Sequence, residues 1–204
     1  MPSVPSSSSP VLVLATLNPH KGRELVALLG AVPFQIKLLS EFPDARLPEE
    51  TGQTYAENAL VKSRTAARLT GALALGDDSG LEVDALGGAP GLHTARFGGP
   101  GLTDRARWEL LLERLRDVPP ARRTARFRCV IALAGPARGE QVVVDGVVEG
   151  VIAAAPRGSG GFGYDPVFFY PPLGRTFGEI SDEDKQRVSH RGKALAAARR
   201  LLSE

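Results

Sequence analysis

Cysteine is almost absent from this 204-residue chain: Cys129 is the only one. No disulfide framework and no cysteine-rich metal site can therefore form within it, and the usage suits a reducing, cytoplasmic setting. Long apolar runs are missing too. None approaches the ~20 residues a membrane helix needs, so no membrane partner is expected. Charge of one sign is lacking: the formal net charge is only +2. That is too small to imply a nucleic-acid groove or attachment to an anionic lipid surface. The first ten residues, MPSVPSSSSP, contain neither a positive charge nor an apolar centre. They do not read as a signal peptide, and they are expected to form a disordered tail over 1–10 ahead of one domain over 11–204. Internal repeats are absent as well. Two phosphate-binding signatures are missing after the first apolar run: neither Gly-x-Gly-x-x-Gly nor Gly-x4-Gly-Lys-Ser/Thr occurs there.

What the chain does have is the stretch Gly76–Gly91, GDDSGLEVDALGGAPG, with five glycines and a proline in sixteen residues. Asp77 and Asp78 stand side by side after the apolar run Leu73–Leu75, where a strand is expected to give way to a glycine-rich loop. Adjacent carboxylates in such a place suit a divalent cation better than a core, since burying unpaired charge is costly. A solvated Asp-Gly turn is the plainer alternative.

Val11–Ala15 is a continuous apolar run typical of a strand buried on both faces. It leads through Thr16, Leu17, Asn18, Pro19, His20 and Lys21 into a helical pattern carrying Leu25, Leu28 and Leu29, which ends at Gly30. A helix start after a strand makes an anion site from unpaired N–H groups, and Lys21 could add a full charge. A capped helix with a solvated lysine would look the same. Phe34–Leu39 suggests a second strand. Thr54 with Glu57 three residues on is a capping-box signature, predicting a helix over Thr54–Thr70. Its apolar face would be Tyr55, Ala59, Ala66 and Leu69, with Lys62 off it. Glu49 and Glu50 precede it in a loop, free to reach a cation held by Asp77 or Asp78.

Asp104–Arg116 reads as a helix and Thr124–Ala134 as a strand with Ala125, Phe127, Cys129, Ile131 and Leu133 alternating inward. Arg122, Arg123, Arg126 and Arg128 form a basic cluster, the usual mark of a solvated face. Gln141–Ile152 is β-rich, with Asp145-Gly146 as a hairpin turn or a bulge. Pro156–Gly163 is a second glycine-rich loop, and its lone aromatic, Phe162, could stack on a flat ligand. Val167–Tyr170 suggests a strand, and Ser189-His190-Arg191 opens a last helix over Gly192–Leu202.

Five segments, in this order, resemble the inosine triphosphate pyrophosphatase family, also called Ham1-like. They are ATLNPHK (Ala15–Lys21), EETGQTYAENALVK (Glu49–Lys62), DDSGLEVDALGGAPGLHTARF (Asp77–Phe97), GGFGYDPVF (Gly160–Phe168) and KQRVSHRGKAL (Lys185–Leu195). Leu17 stands where members often carry glycine, and Gln186 replaces a common asparagine. The resemblance implies an α/β fold: an elongated mixed sheet flanked by helices, with two lobes around a central nucleotide cleft, usually in a homodimer. It implies Mg2+-dependent hydrolysis of the purine nucleoside triphosphates ITP, dITP and XTP to the monophosphate and pyrophosphate. Carried over by motif, Glu49 and Asp78 would hold Mg2+, and Asp78 or Asp77 would act on the attacking water. Lys21 and Lys62 would clamp phosphate oxygens, and Thr16, Leu17, Asn18, Pro19, His20 and Ser79 would also contact the substrate. Phe162, Gly163, Tyr164, Asp165, Lys185, His190 and Arg191 would meet the base, with Asp165 orienting a cation. A non-catalytic nucleotide sensor could do without the carboxylates that are present here. An oxidoreductase would need the missing glycine fingerprint.

Overall fold

The computed structural model describes residues 9–135 and 142–203. Strand β1, Val11–Leu14, sits between two parallel neighbours, β2 (Gln35–Leu38) and β3 (Leu73–Val83), which is why it is apolar throughout. Parallel pairing requires long crossovers. Helix α1, Pro19–Leu29, follows β1, and helix α2, Tyr55–Thr70, precedes β3. The sheet then turns antiparallel through β4 (Thr124–Ala134), β5 (Val142–Ile152), β6 (Phe168–Tyr170) and β7 (Arg175–Thr176). Its order is β2-β1-β3-β4-β5-β6-β7. Helix α3, Asp104–Arg114, lies between β3 and β4, and α4 (Asp182–Val188) and α5 (His190–Leu202) close the chain. Of the expected tail, only Ser9 and Pro10 lie within the described residues.

Residues paired across an antiparallel ladder share a face of the sheet. Asp78 pairs with Val130, which packs on Tyr55 and Ala59 of α2. Asp77 pairs with Ile131, which packs among Leu25 and Leu29 of α1 and Leu195 and Ala198 of α5. Helix α2 therefore covers one face, and α1 with α5 the other. On the α1/α5 face two apolar clusters meet: one holds Cys129, Ile131 and Leu133, the other Leu81, Phe127 and Phe168. The boundary between these two bodies is where the polar site forms.

Several expectations need correction. Asp77 and Asp78 are not at a strand's end but inside the eleven-residue β3. The reason is unequal pairing: β1 stops where Leu14 meets Leu75, whereas β4 pairs on as far as Val83. Lys62 belongs to the buried face of α2, and Leu69, expected inside, is exposed. Asp145-Gly146 is neither turn nor bulge, because β5 runs straight through it. Gly146 is required instead by α5, since a Cβ there would overlap the His190 carbonyl oxygen. Gln141, the expected start of β5, lies outside the described residues. The arginine cluster is largely engaged: Arg123 donates to the carbonyls of Leu115 (2.8 Å) and Val118 (2.9 Å), and Arg126 pairs with Asp84 and Glu149.

Candidate active site

Successive residues of a strand point to opposite faces, so the two neighbouring aspartates serve two different clusters. On the α2 side, Asn58 and Lys62 lie four apart on the helix and both reach Asp78. Asn58 Nδ2 donates to Asp78 Oδ2 at 3.0 Å, and Lys62 Nζ stands 3.2 Å from Asp78 Oδ1. The same ammonium donates to the Asp77 carbonyl at 2.9 Å and is ion-paired with Glu50. Burial pushes the Asp78 carboxyl up and outweighs Lys62, with Glu50 adding to the rise. For Lys62, burial works against the charge, but Asp77, Asp78 and Glu50 overcome it and hold the ammonium above its ordinary range. Glu50, not Glu49, supplies the loop carboxylate here; Glu49 is exposed. Register decides between them, because the sequence offers two adjacent glutamates and only one can turn toward α2.

On the other side, Asp77 Oδ2 is buried 3.3 Å from Lys21 Nζ and 3.7 Å from Arg191 Nη2. Burial alone would raise this carboxyl, yet Lys21, Arg191 and Lys62 bring it far below the usual carboxylate range. Arg191, fully buried, also donates to Ser79 Oγ at 3.0 Å and pairs with Glu24. Glu24 accepts as well from Lys185 Nζ at 2.7 Å, and Lys185 reaches Asp165 Oδ2 at 2.7 Å. Asp165 in turn accepts the Phe162 N–H at 2.8 Å, tying the glycine-rich loop to the cations. Lys185 Nζ lies 4.7 Å and the Arg191 guanidinium 5.8 Å from the Phe162 ring centre, and His20 stacks on that ring at 5.6 Å.

The start of α1 differs from expectation. Asn18 Oδ1 accepts the N–H groups of both His20 and Lys21, at 2.9 and 3.2 Å, and the Asn18 N–H goes to Thr16 Oγ1. Pro19 has no N–H, so the first turn offers few free donors and the positive charge comes from Lys21 itself. Leu17 is exposed. His190 is buried flat on Phe127 at 4.7 Å; burial, then Arg191 and Lys185, hold it well below its ordinary value and neutral. Tyr164, considered as a stacking ring, belongs to the core beside Phe168, and its hydroxyl donates to the Thr94 carbonyl at 3.0 Å.

A cavity of about 300 Å³ joins these groups. Asn18, Lys21 and Ser79 are in its wall, as are Phe162, Gly163, Lys185, His190 and Arg191. Asp77 and Asp78, which precede Ser79 on β3, are not in that wall, and neither are Lys62 and Glu50. Among the contributors, Glu24, Asn58, Asp104 and Arg107 were not assigned a role from sequence. Glu24 had a signal, three residues after Lys21 on one helix face. Asp104 accepts the Gly163 N–H at 2.9 Å, a contact across 59 positions that no local pattern announces.

A mixed sheet in which β3 ends its parallel pairing beside cations, a half-buried aromatic and a cavity walled partly by Lys21, Lys185 and Arg191 defines an α/β protein with a cleft suited to a flat, anionic ligand. More narrowly, the chain belongs to the Ham1 family, whose sequence pattern matches residues 12–201. It is 50% identical over 192 residues to a dITP/XTP pyrophosphatase of Desulforamulus reducens, covering 94% of this chain and 95% of that one. A dITP/XTP pyrophosphatase of Thermus thermophilus is 52% identical over 186 residues, with 91% and 88% covered. The solved structure of a HAM1 protein from Coxiella burnetii superposes with a TM-score of 0.85 at 41% identity, covering 95% of this chain and 98% of that one.

Proposed function

We propose that the chain hydrolyses dITP, ITP and XTP to the monophosphate and pyrophosphate. The names of its half-identical relatives support this. One observation carries it: at the open edge of β3, Asp78 with Lys62 and Glu50 faces one way, and Asp77 and Ser79 with Lys21 and Arg191 face the other. A triphosphate crossing that edge meets a carboxylate and lysines at one end, and its base meets Phe162 and the buried cations at the other. Asp78, the carboxylate with the raised affinity for a proton, accepts a proton from the attacking water, which adds to the α-phosphorus as pyrophosphate leaves. Lys21 and Lys62 balance the phosphate charge that would otherwise repel the nucleophile.

Asp78 and Glu50 also fit Mg2+. They are hard oxygen donors already gathered about one cation, Lys62. No cluster of three or more metal-ligating side chains occurs among the described residues, and Mg2+ commonly takes one or two carboxylates plus phosphates. Bound there, it would neutralise phosphate charge and acidify water. At the base end, Arg191 and Lys185 are donors only, which suits a 6-keto purine and opposes a 6-amino group. Such mismatch in a desolvated site can discriminate on the order of 10⁴-fold. We also propose a homodimer, as the family resemblance implies, and a cytoplasmic setting, which suits the lone buried thiol of Cys129. A nucleotide panel assayed for pyrophosphate with and without Mg2+ tests the reading. Turnover of inosine and xanthosine triphosphates well ahead of ATP, dependent on the metal, is expected; release of orthophosphate without pyrophosphate would assign a different bond.

A further inference from the structure

Asp77 is the one acidic group at the site that faces cations from two separate helices without committing to either. Its Oδ2 is buried at 3.3 Å from Lys21 of α1 and 3.7 Å from Arg191 of α5, and it forms no hydrogen bond. Lys21 stands at the phosphate end of the cleft and Arg191 at the base end. We propose that Asp77 is a positioning residue that couples the two ends, its single carboxylate oxygen setting how far Arg191 can lean toward the base according to whether Lys21 is present. This rests on the functional reading above, since it assigns Lys21 to phosphate and Arg191 to the base.

The electrostatic argument runs through competition. An ammonium has three N–H donors, so Lys21 can meet a phosphate oxygen without releasing Asp77. While it stays, it satisfies part of the Asp77 charge, and Arg191 is aimed by Ser79 and Glu24. Remove the Lys21 charge and Arg191 becomes the main counter-ion on this face. In a buried site the closer approach is strongly favoured, and the guanidinium is drawn from its bond to Ser79 toward Asp77. Lys62 offers the contrast: it touches only the backbone carbonyl of Asp77, and its side-chain partners are on the far face of the sheet.

The test compares Lys21→Met with Lys62→Met, reading the ratio of ITP to ATP affinity by calorimetry without metal, and the ratio of kcat/KM values with it. Lys21→Met is expected to compress the preference about fivefold, at the low end of ordinary coupling between sites, and Lys62→Met to leave it within about twofold. Asp77→Asn, which removes the carboxylate that draws the guanidinium away, should restore the preference to within about twofold of wild type when combined with Lys21→Met. A general loss of structure would weaken both nucleotides together and leave the ratios alone. An unchanged ratio in Lys21→Met, or equal compression in both lysine variants, overturns the coupling. Should Asp77→Asn fail to fold, the lysine pair still decides. If the wild type prefers ITP in binding yet releases no pyrophosphate, the hydrolytic reading fails while the affinity ratios still decide the coupling. If it shows no preference for ITP, the coupling falls too.

Discussion

At the scale of single residues, two adjacent aspartates with opposite electrostatics carry most of the proposed chemistry. Asp78→Asn should leave the fold intact and lower kcat by about 10³, within the usual contribution of a general base. In the metal-free protein burial holds the Asp78 carboxyl above the ordinary aspartate range. Asp77 behaves the other way. Its folded value is depressed, so the stability it confers is fully present above the unfolded value near 3.8 and is lost as the pH falls toward the depressed value. Asp77→Asn should therefore melt below wild type at neutral pH, and the gap in Tm should narrow below about pH 3.8. His190 gives a third expectation: its imidazole NMR signals should not titrate between pH 6 and 8, since burial and two cations keep it neutral. The sequence named both aspartates but left their roles open. Which face each one meets depends on pairing with β4, and the aspartate pair by itself does not reveal that register.

Elements position these groups, and one glycine shows how. Gly146 on β5 admits the backbone of α5 at His190. Gly146→Ala should cost roughly 1–3 kcal/mol, as overpacking does, and should reduce activity by displacing His190 and Arg191 together. Loss of stability with full activity would mean that α5 can shift without moving its functional pair. Helix starts were legible beforehand, because capping is written locally: Thr54 and Ser189 each accept an N–H three residues on. The burial of Lys62 was not legible. An amphipathic pattern assigns lysine outward, and only three acidic groups from other segments make its inward position tolerable. The glycine of Asp145-Gly146 misled for a similar reason. Close approach of a distant helix and a local turn call for the same residue.

Across the whole molecule, individual strands and helices could be read from apolar runs and helical periods, the α/β class came with the family resemblance, and strand order could not be read. Nothing local tells β3 to run parallel to β1 on one side and antiparallel to β4 on the other. Ordered motifs could be matched to a family as a set, and the family fold then followed. The single cysteine has a consequence of its own. Cys129 lies in β4 between Ser79 and Gly146 on the neighbouring strands, fully buried, with burial pushing its thiol up to about 12. A thiolate-seeking reagent can reach it only when the centre of the sheet opens, so the chain carries one built-in clock for its own unfolding. With labelling slow relative to reclosure, the rate of modification reports the open fraction directly. ITP held at a hundred times its Kd, without metal so that it is not turned over, should slow that clock about a hundredfold, equivalent to about 2.7 kcal/mol.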